Sequence, residues 1–155
     1  MFKFLLISAL VPALLLAQTT FPRACPNGAP MPAYGEVNGC TASPCTIPVG
    51  APIVAFANGI VSEQNTDTLT AHISIRAAGL EIPFPIPDDL KDACETGTAP
   101  GTCPVSIGQE FDYTLDYEGD PVPISNVTVQ IEVGLAGDSG EDVTCIAFEV
   151  FISPE

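Results

Sequence analysis

The sequence predicts an all-β fold, a two-sheet immunoglobulin-like β-sandwich. Short stretches in which apolar and polar residues alternate recur from Ile53 to Ile152. Sixteen prolines and 13 glycines separate them and leave little room for a long helix. Six cysteines, an even number, follow an N-terminal stretch laid out like an export signal. Sheets with one apolar face each bury those faces against each other, which is how a sandwich forms. At 155 residues the chain suits one domain.

The N-terminus comes first. Met1-Phe2-Lys3 is a basic start, Phe4 to Leu16 is apolar apart from Ser8 and Pro12, and Ala17 is a small residue suited to cleavage. This order predicts a signal peptide over 1–17 and a domain over 18–155. The run is shorter than the ~20 apolar residues a membrane-spanning helix needs. An exported protein follows, extracellular or delivered to lysosomes.

Each later stretch has its own pattern. Ile53–Val61 is a strand of mixed apolarity. Leu69, Ala71, Ile73, Ile75 and Ala77 face one way, and Thr70, His72, Ser74 and Arg76 the other. Leu80, Ile82, Phe84 and Ile86 alternate with Glu81 and prolines 83, 85 and 87, which cannot donate to a ladder and so predict an edge strand. Pro87–Asp92 has the residues for one helical turn. Phe111, Tyr113, Leu115 and Tyr117 form the next apolar row, then Val127, Val129, Ile131 and Val133. Asp138–Asp142 reads as a solvated hairpin turn, and Ile146, Phe148, Val150 and Ile152 close the chain.

Charge excludes some partners. With Lys3 removed, three basic residues (Arg23, Arg76 and Lys91) stand against 19 acidic ones, a net charge of −16. Nucleic acids and anionic membrane surfaces recruit basic patches, so neither is an expected partner. In an oxidising compartment the cysteines predict three disulfides, for which spacing alone admits fifteen pairings. If Ile146, Phe148 and Val150 point inward, Cys145 points outward, from where it could tie the last strand to Cys25. Cys40–Cys45 and Cys94–Cys103 would then close local loops. No second close cysteine pair completes a zinc site beside Cys40-x₄-Cys45, and no cofactor motif is present. His72 is the only histidine and sits on a polar strand face, with no nucleophile-elbow motif in the chain, so no catalytic residue is expected. Asn126-Val127-Thr128 is a sequon whose glycan would point to solvent.

Several segments together carry a family likeness. They are Gly39-Cys40-Thr41-Ala42-Ser43-Pro44-Cys45 followed by Gly50; Ile82-Pro83-Phe84-Pro85-Ile86-Pro87; Ala93-Cys94; Cys103-Pro104-Val105; Gly108-Gln109; and Phe111-Asp112-Tyr113. Gln64-Asn65-Thr66, Ser125-Asn126-Val127-Thr128-Val129 and Cys145 complete the set. In this order the chain, from Cys25 to Ile152, resembles the ML family of secreted lipid-recognition domains, which includes sterol carriers and the group-two mite allergens.

The resemblance implies a lipid cavity between the two sheets and the pairings Cys25–Cys145, Cys40–Cys45 and Cys94–Cys103. It implies a ligand lined by Ile82, Phe84, Val122, Val127, Val129, Ile131, Ile146 and Phe148, with Phe84 and Val122 at the mouth. The ligand would be a sterol, fatty acid, phospholipid or similar small hydrophobe. The carrier would be monomeric, with a membrane lipid transporter or receptor as a partner. The chain departs from the sterol carriers in having no tryptophan: Ile131 and Ile146 stand where they place bulky aromatics. Alternation by itself fits a filled core equally well, because protein interiors are close-packed. A structural or adhesion sandwich is therefore the competing expectation.

Overall fold

The computed structural model describes residues 22–38, 40, 42–118 and 124–154. The signal-peptide expectation for residues 1–17 and the mouth position Val122 lie outside the described residues. The elements are β1 (Arg23–Ala24), β2 (Tyr34–Val37), β3 (Cys45–Pro48), β4 (Ile53–Val61), β5 (Thr70–Ala77), β6 (Leu80–Phe84), α1 (Asp88–Lys91), β7 (Glu110–Tyr117), β8 (Val127–Ala136) and β9 (Asp142–Ser153). Nine strands lie among the described residues, against the six alternating stretches from Ile53 onward. The surplus comes from β1, β2 and β3, which have two to four residues each and are too short to show a period.

The strands form two sheets. One has six strands in the order β1-β9-β8-β5-β6, with β3 also on β9; the other is β2-β4-β7. β8 holds one edge of the 12-residue β9. β1 and β3 share the other edge, β1 antiparallel at Ile146 and Ala147, β3 parallel from Val150 to Ser153. β6 ends the larger sheet as the prolines predicted.

Register sets what points inward. Directly opposed residues share a sheet face. Ile75 opposes both Ile131 and Ile82, Ile73 opposes both Val133 and Phe84, and Ile131 opposes Phe148. These residues line the inner face of the larger sheet. Ile53, Ala55 and Ala57 on β4 and Phe111, Tyr113, Leu115 and Tyr117 on β7 are the buried inner row of the smaller one. One core cluster joins both rows. Fully burying an aliphatic or aromatic side chain there contributes roughly 1.5–3 kcal/mol.

The outer face of the larger sheet is polar and paired. Glu132 is buried, and its carboxylate accepts from Arg76 Nε at 3.0 Å, Gln130 Nε2 at 2.7 Å and Ser74 Oγ at 3.3 Å. Arg76 also reaches Glu81 at 2.8 Å, and the Glu132 carboxylate holds its guanidinium above the ordinary arginine range. Three donors satisfy a carboxylate that burial would otherwise penalise.

Three disulfides cross-link the fold: Cys25–Cys145, Cys40–Cys45 and Cys94–Cys103. Cys25 and Cys145 form a separate outer cluster with Ala147, as expected if Ile146 and Phe148 face inward. The Cys94–Cys103 loop covers the free edge of β7, where Thr114 N–H donates to Gly97 O at 2.8 Å. Gly97 has φ +91°, and a Cβ there would lie 2.3 Å from Thr114 O and 2.6 Å from Tyr113 Cε2. Only glycine allows this approach.

The turn between β8 and β9 is not simply solvated. The Asp138 carboxylate accepts from Asp67 N–H at 2.7 Å, Thr68 N–H at 3.2 Å and the Thr68 hydroxyl, docking the turn onto residues 66–68. The Thr68 hydroxyl first, then the Asp67 N–H, hold this carboxyl below the ordinary aspartate range. A depressed folded-state pKa gives stability that is present above the unfolded value, about 3.9, and lost as pH falls through the folded one. The stability difference between wild type and Asp138→Asn should therefore shrink as pH falls from 6 to 3. Thermal midpoints across that range check it, and parallel curves would refute it.

Candidate ligand-binding site

The candidate site lies between the sheets and opens at β6. Leu80, Ile82 and Phe84 share the inner face of β6, yet Leu80 is 70% and Ile82 53% exposed. The six-stranded sheet is wider than the three-stranded sheet facing it, so its last strand overhangs. Phe84 is half-buried, and its ring meets that of Tyr117, on β7, edge to face with centroids 5.4 Å apart. This pair bridges the two sheets where the apolar interior meets the overhang.

Behind the aromatic pair, Val129, Ile131, Ile146 and Phe148 are buried in the core and Val127 is partly buried. The structure brings these five inward-facing side chains together. Ile82 differs: it belongs to the same inner row but is not enclosed, because no strand of the smaller sheet reaches over it. Tyr117 was not on the sequence-derived lining list. Its place at the end of an apolar row hid nothing, but only the fold brings it to Phe84.

An apolar cavity between the sheets is lined by Ala55, Ala57, Tyr113, Val133, Leu135, Thr144 and Ile146, with Phe56 and Gly134, and measures about 10 Å³. That is about the room for one water. A larger cleft of about 530 Å³ lies elsewhere, among Asn27–Pro30, Glu63, Gln64 and Gly140–Val143, and is a polar surface depression beside the β8–β9 turn. A third cleft, about 460 Å³, is lined by Pro87, Asp89, Leu90, Asp116 and Glu118, close in sequence to Phe84 and Tyr117. Its rim is acidic.

His72 sits on the outer face as expected but is not merely exposed. Its Nε2 lies 2.7 Å from Asp142 Oδ1, and Asn27 Nδ2 donates to the other oxygen of that carboxylate at 2.7 Å. Gly134 makes room for the ring: a Cβ there would lie 2.5 Å from His72 Nε2. Because this cluster faces away from the inter-sheet space, His72→Ala should leave lipid binding within about twofold of wild type. Titration with a fluorescent sterol checks this. Loss of binding with the fold intact would mean that the strand faces are misassigned. Among the described residues, no group of three or more His, Cys, Asp or Glu is placed to hold a metal ion.

Asn126 is exposed, precedes β8 rather than lying in it, and has φ +57°, a left-handed conformation asparagine tolerates. Its N–H donates to Ile152 O at 2.7 Å.

Comparison with known proteins decides the family. The family model described as the ML domain matches residues 20–152. The chain belongs to the ML-domain family. Its relatives agree. This ML-domain chain is 29% identical over 124 residues to the NPC intracellular cholesterol transporter 2 of Danio rerio, covering 76% of this chain and 74% of that one. It is 33% identical over 114 residues to the mite group 2 allergen Der f 2 of Dermatophagoides farinae, covering 72% of each. Its fold is similar to the crystal structure of a Niemann-Pick type C2 protein from Japanese carpenter ant, with a TM-score of 0.61 at 16% identity, over 78% of this ML domain and 90% of that chain. Among the described residues, no helix is long and apolar enough to cross a membrane.

Proposed function

We propose that this ML-domain protein is an exported, non-catalytic carrier that holds one neutral, largely apolar lipid between its sheets. The observation that carries this reading is the uncovered inner row of β6, Leu80 and Ile82, running inward to the Phe84–Tyr117 pair. An apolar row left wet at the edge of a sandwich is a ramp from surface to interior. Burying ligand surface against it yields about 25 cal/mol per Å² before ordering costs. Binding requires the sheets to separate from the closed arrangement described here, with Ile82, Phe84, Val127, Val129, Ile131, Ile146 and Phe148 as the contact set.

The charge distribution supports a neutral ligand. Each basic side chain among the described residues is paired: Arg23 with Glu149 at 3.5 Å, Arg76 with Glu132 and Glu81, and Lys91 with Asp88 at 2.6 Å. No cation is left among them to pair with a lipid phosphate, the usual way such groups are held. Sterols and other uncharged hydrophobes fit better than phospholipids. The Danio rerio relative is named for cholesterol transport, which agrees with this choice.

The same reading includes a signal peptide over 1–17, a monomeric mature protein and a glycan at Asn126, whose exposed side chain leaves space for one. Handover to a membrane lipid transporter or receptor would proceed from the β6 edge. The test is mass spectrometry of an organic extract of protein secreted from eukaryotic cells. A neutral lipid near one-to-one stoichiometry is expected. A lipid-free protein that also fails to bind added fluorescent sterol would replace the carrier with a structural sandwich.

A further inference from the structure

Tyr113 is a polar residue in an otherwise apolar place. It stands at the middle of the inner row of β7, opposite Ala57 on β4, and is 4% exposed. It lines the inter-sheet cavity with Ile146, Val133 and Leu135. Thr144 lines it too, but its hydroxyl is used, donating to Pro30 O at 3.0 Å. Among the described residues no hydrogen bond of the Tyr113 hydroxyl is present, and the hydroxyl is not fully enclosed: the one fully buried side-chain polar atom without a partner among them is Ser43 Oγ. A hydroxyl that keeps a little open surface in an apolar lining is a donor available to a ligand. A phenylalanine would fill the same volume without offering a donor.

The ring is held from behind. Gly97 packs so closely that a Cβ would lie 3.0 Å from Cδ2 of Tyr113. Burial pushes the phenol up to about 12, so it stays protonated and remains a donor across the physiological range. Two inner-row steps separate Tyr113 from Tyr117, roughly 13 Å along the strand. A ligand that enters past Tyr117 and reaches Tyr113 is therefore elongated.

We propose that the Tyr113 hydroxyl is the polar anchor of the cavity and donates a hydrogen bond to an uncharged oxygen at the buried end of the lipid. This rests on the carrier reading above. It narrows the ligand to elongated hydrophobes carrying a carbonyl, ester, ether or alcohol oxygen, and it disfavours plain hydrocarbons. Carboxylates are excluded on the same grounds as phosphates, since no unpaired cation stands ready to neutralise one in the apolar interior.

The experiment compares a long-chain methyl ketone with the alkane of equal length, each displacing a fluorescent apolar probe from the full secreted protein. Wild type should prefer the ketone. Tyr113→Phe should lose about tenfold in ketone affinity, a typical loss for one hydrogen bond, and change alkane affinity less than twofold. Equal losses for both, or none for either, would overturn the anchor. A protein that binds probe and ketone without this discrimination refutes the anchor alone, whereas one that binds neither refutes the carrier as well. Should the variant fold poorly, ¹³C-tyrosine spectra of the wild type decide. The Tyr113 Cζ resonance should shift with ketone and not with alkane, and identical spectra would count against the proposal.

Discussion

Replacing Cys25 and Cys145 together by alanine should produce the largest loss of stability of any change considered for this protein, roughly 3–5 kcal/mol. The bridge closes a loop with a sequence separation of 120. In the chain-entropy treatment a loop of that size is worth about 4–5 kcal/mol, most of it through restriction of the unfolded chain. The native-state argument points the same way. β1 has only two residues and one pairing partner, so little besides the disulfide keeps Arg23 and Ala24 on β9. Residues 25–30 follow it, and Pro30 O accepts from Cys145 N–H at 3.1 Å and from Thr144 Oγ1. Loss of the bridge would free this segment and expose one side of residue 145, Ala147 and Ala29. Domains unfold with about 5–15 kcal/mol, so the variant should keep its fold at low temperature and lose much of its margin. Denaturant midpoints measure it, together with amide exchange over residues 142–147. A loss below about 1 kcal/mol would mean that the N-terminal segment is held by something other than the bridge.

The relation between pattern and fold is clearest strand by strand. β4 has the bounds that its residues imply, Ile53–Val61, and the inner rows of β5, β7, β8 and β9 follow the alternation without a phase error. Period two is a local property, and each of these strands is long enough to display it. The prolines of β6 mark an edge for an equally local reason. The short strands were illegible because their pairing is decided by distant partners. β3 joins β9 in parallel across about a hundred residues, and nothing in Cys45–Pro48 announces that neighbour.

The site divides along the same line. Which side chains face inward could be read from alternation, but how far the larger sheet overhangs the smaller could not. That overhang leaves Ile82 wet while Ile131, opposed to the same Ile75, is 1% exposed. Nor could spacing show that His72 meets Asp142, 70 residues away, or that Asp138 spends its carboxylate on residues 67 and 68. Contacts between loops and outer-face side chains depend on register and on single glycines such as Gly134, and they have no period to read.

Ile146→Trp should abolish lipid binding with little loss of stability, and the two readouts together separate a carrier from a filled sandwich. Ile146 is 2% exposed, points inward from β9 and lines the inter-sheet cavity opposite Tyr113 and Ala57. In a solid core the added ring atoms have nowhere to go, and overpacking typically costs about 1–3 kcal/mol. In a sandwich whose sheets part for a ligand, the indole enters the space the lipid would use. Its apolar surface is then buried much as the lipid's would be, which offsets the strain. Stability should therefore change by less than about 1 kcal/mol, while affinity for a fluorescent sterol falls more than a hundredfold, roughly 2.7 kcal/mol. Ile131→Trp serves as the neighbouring control, since Ile131 opposes Phe148, one inner-row position along β9 from Ile146. Denaturant midpoints and direct titration give both quantities from the same preparations. A midpoint loss of several kcal/mol in Ile146→Trp, combined with no sterol bound by the wild type, would mean that the sheets never part, and the inward rows would then be an ordinary core.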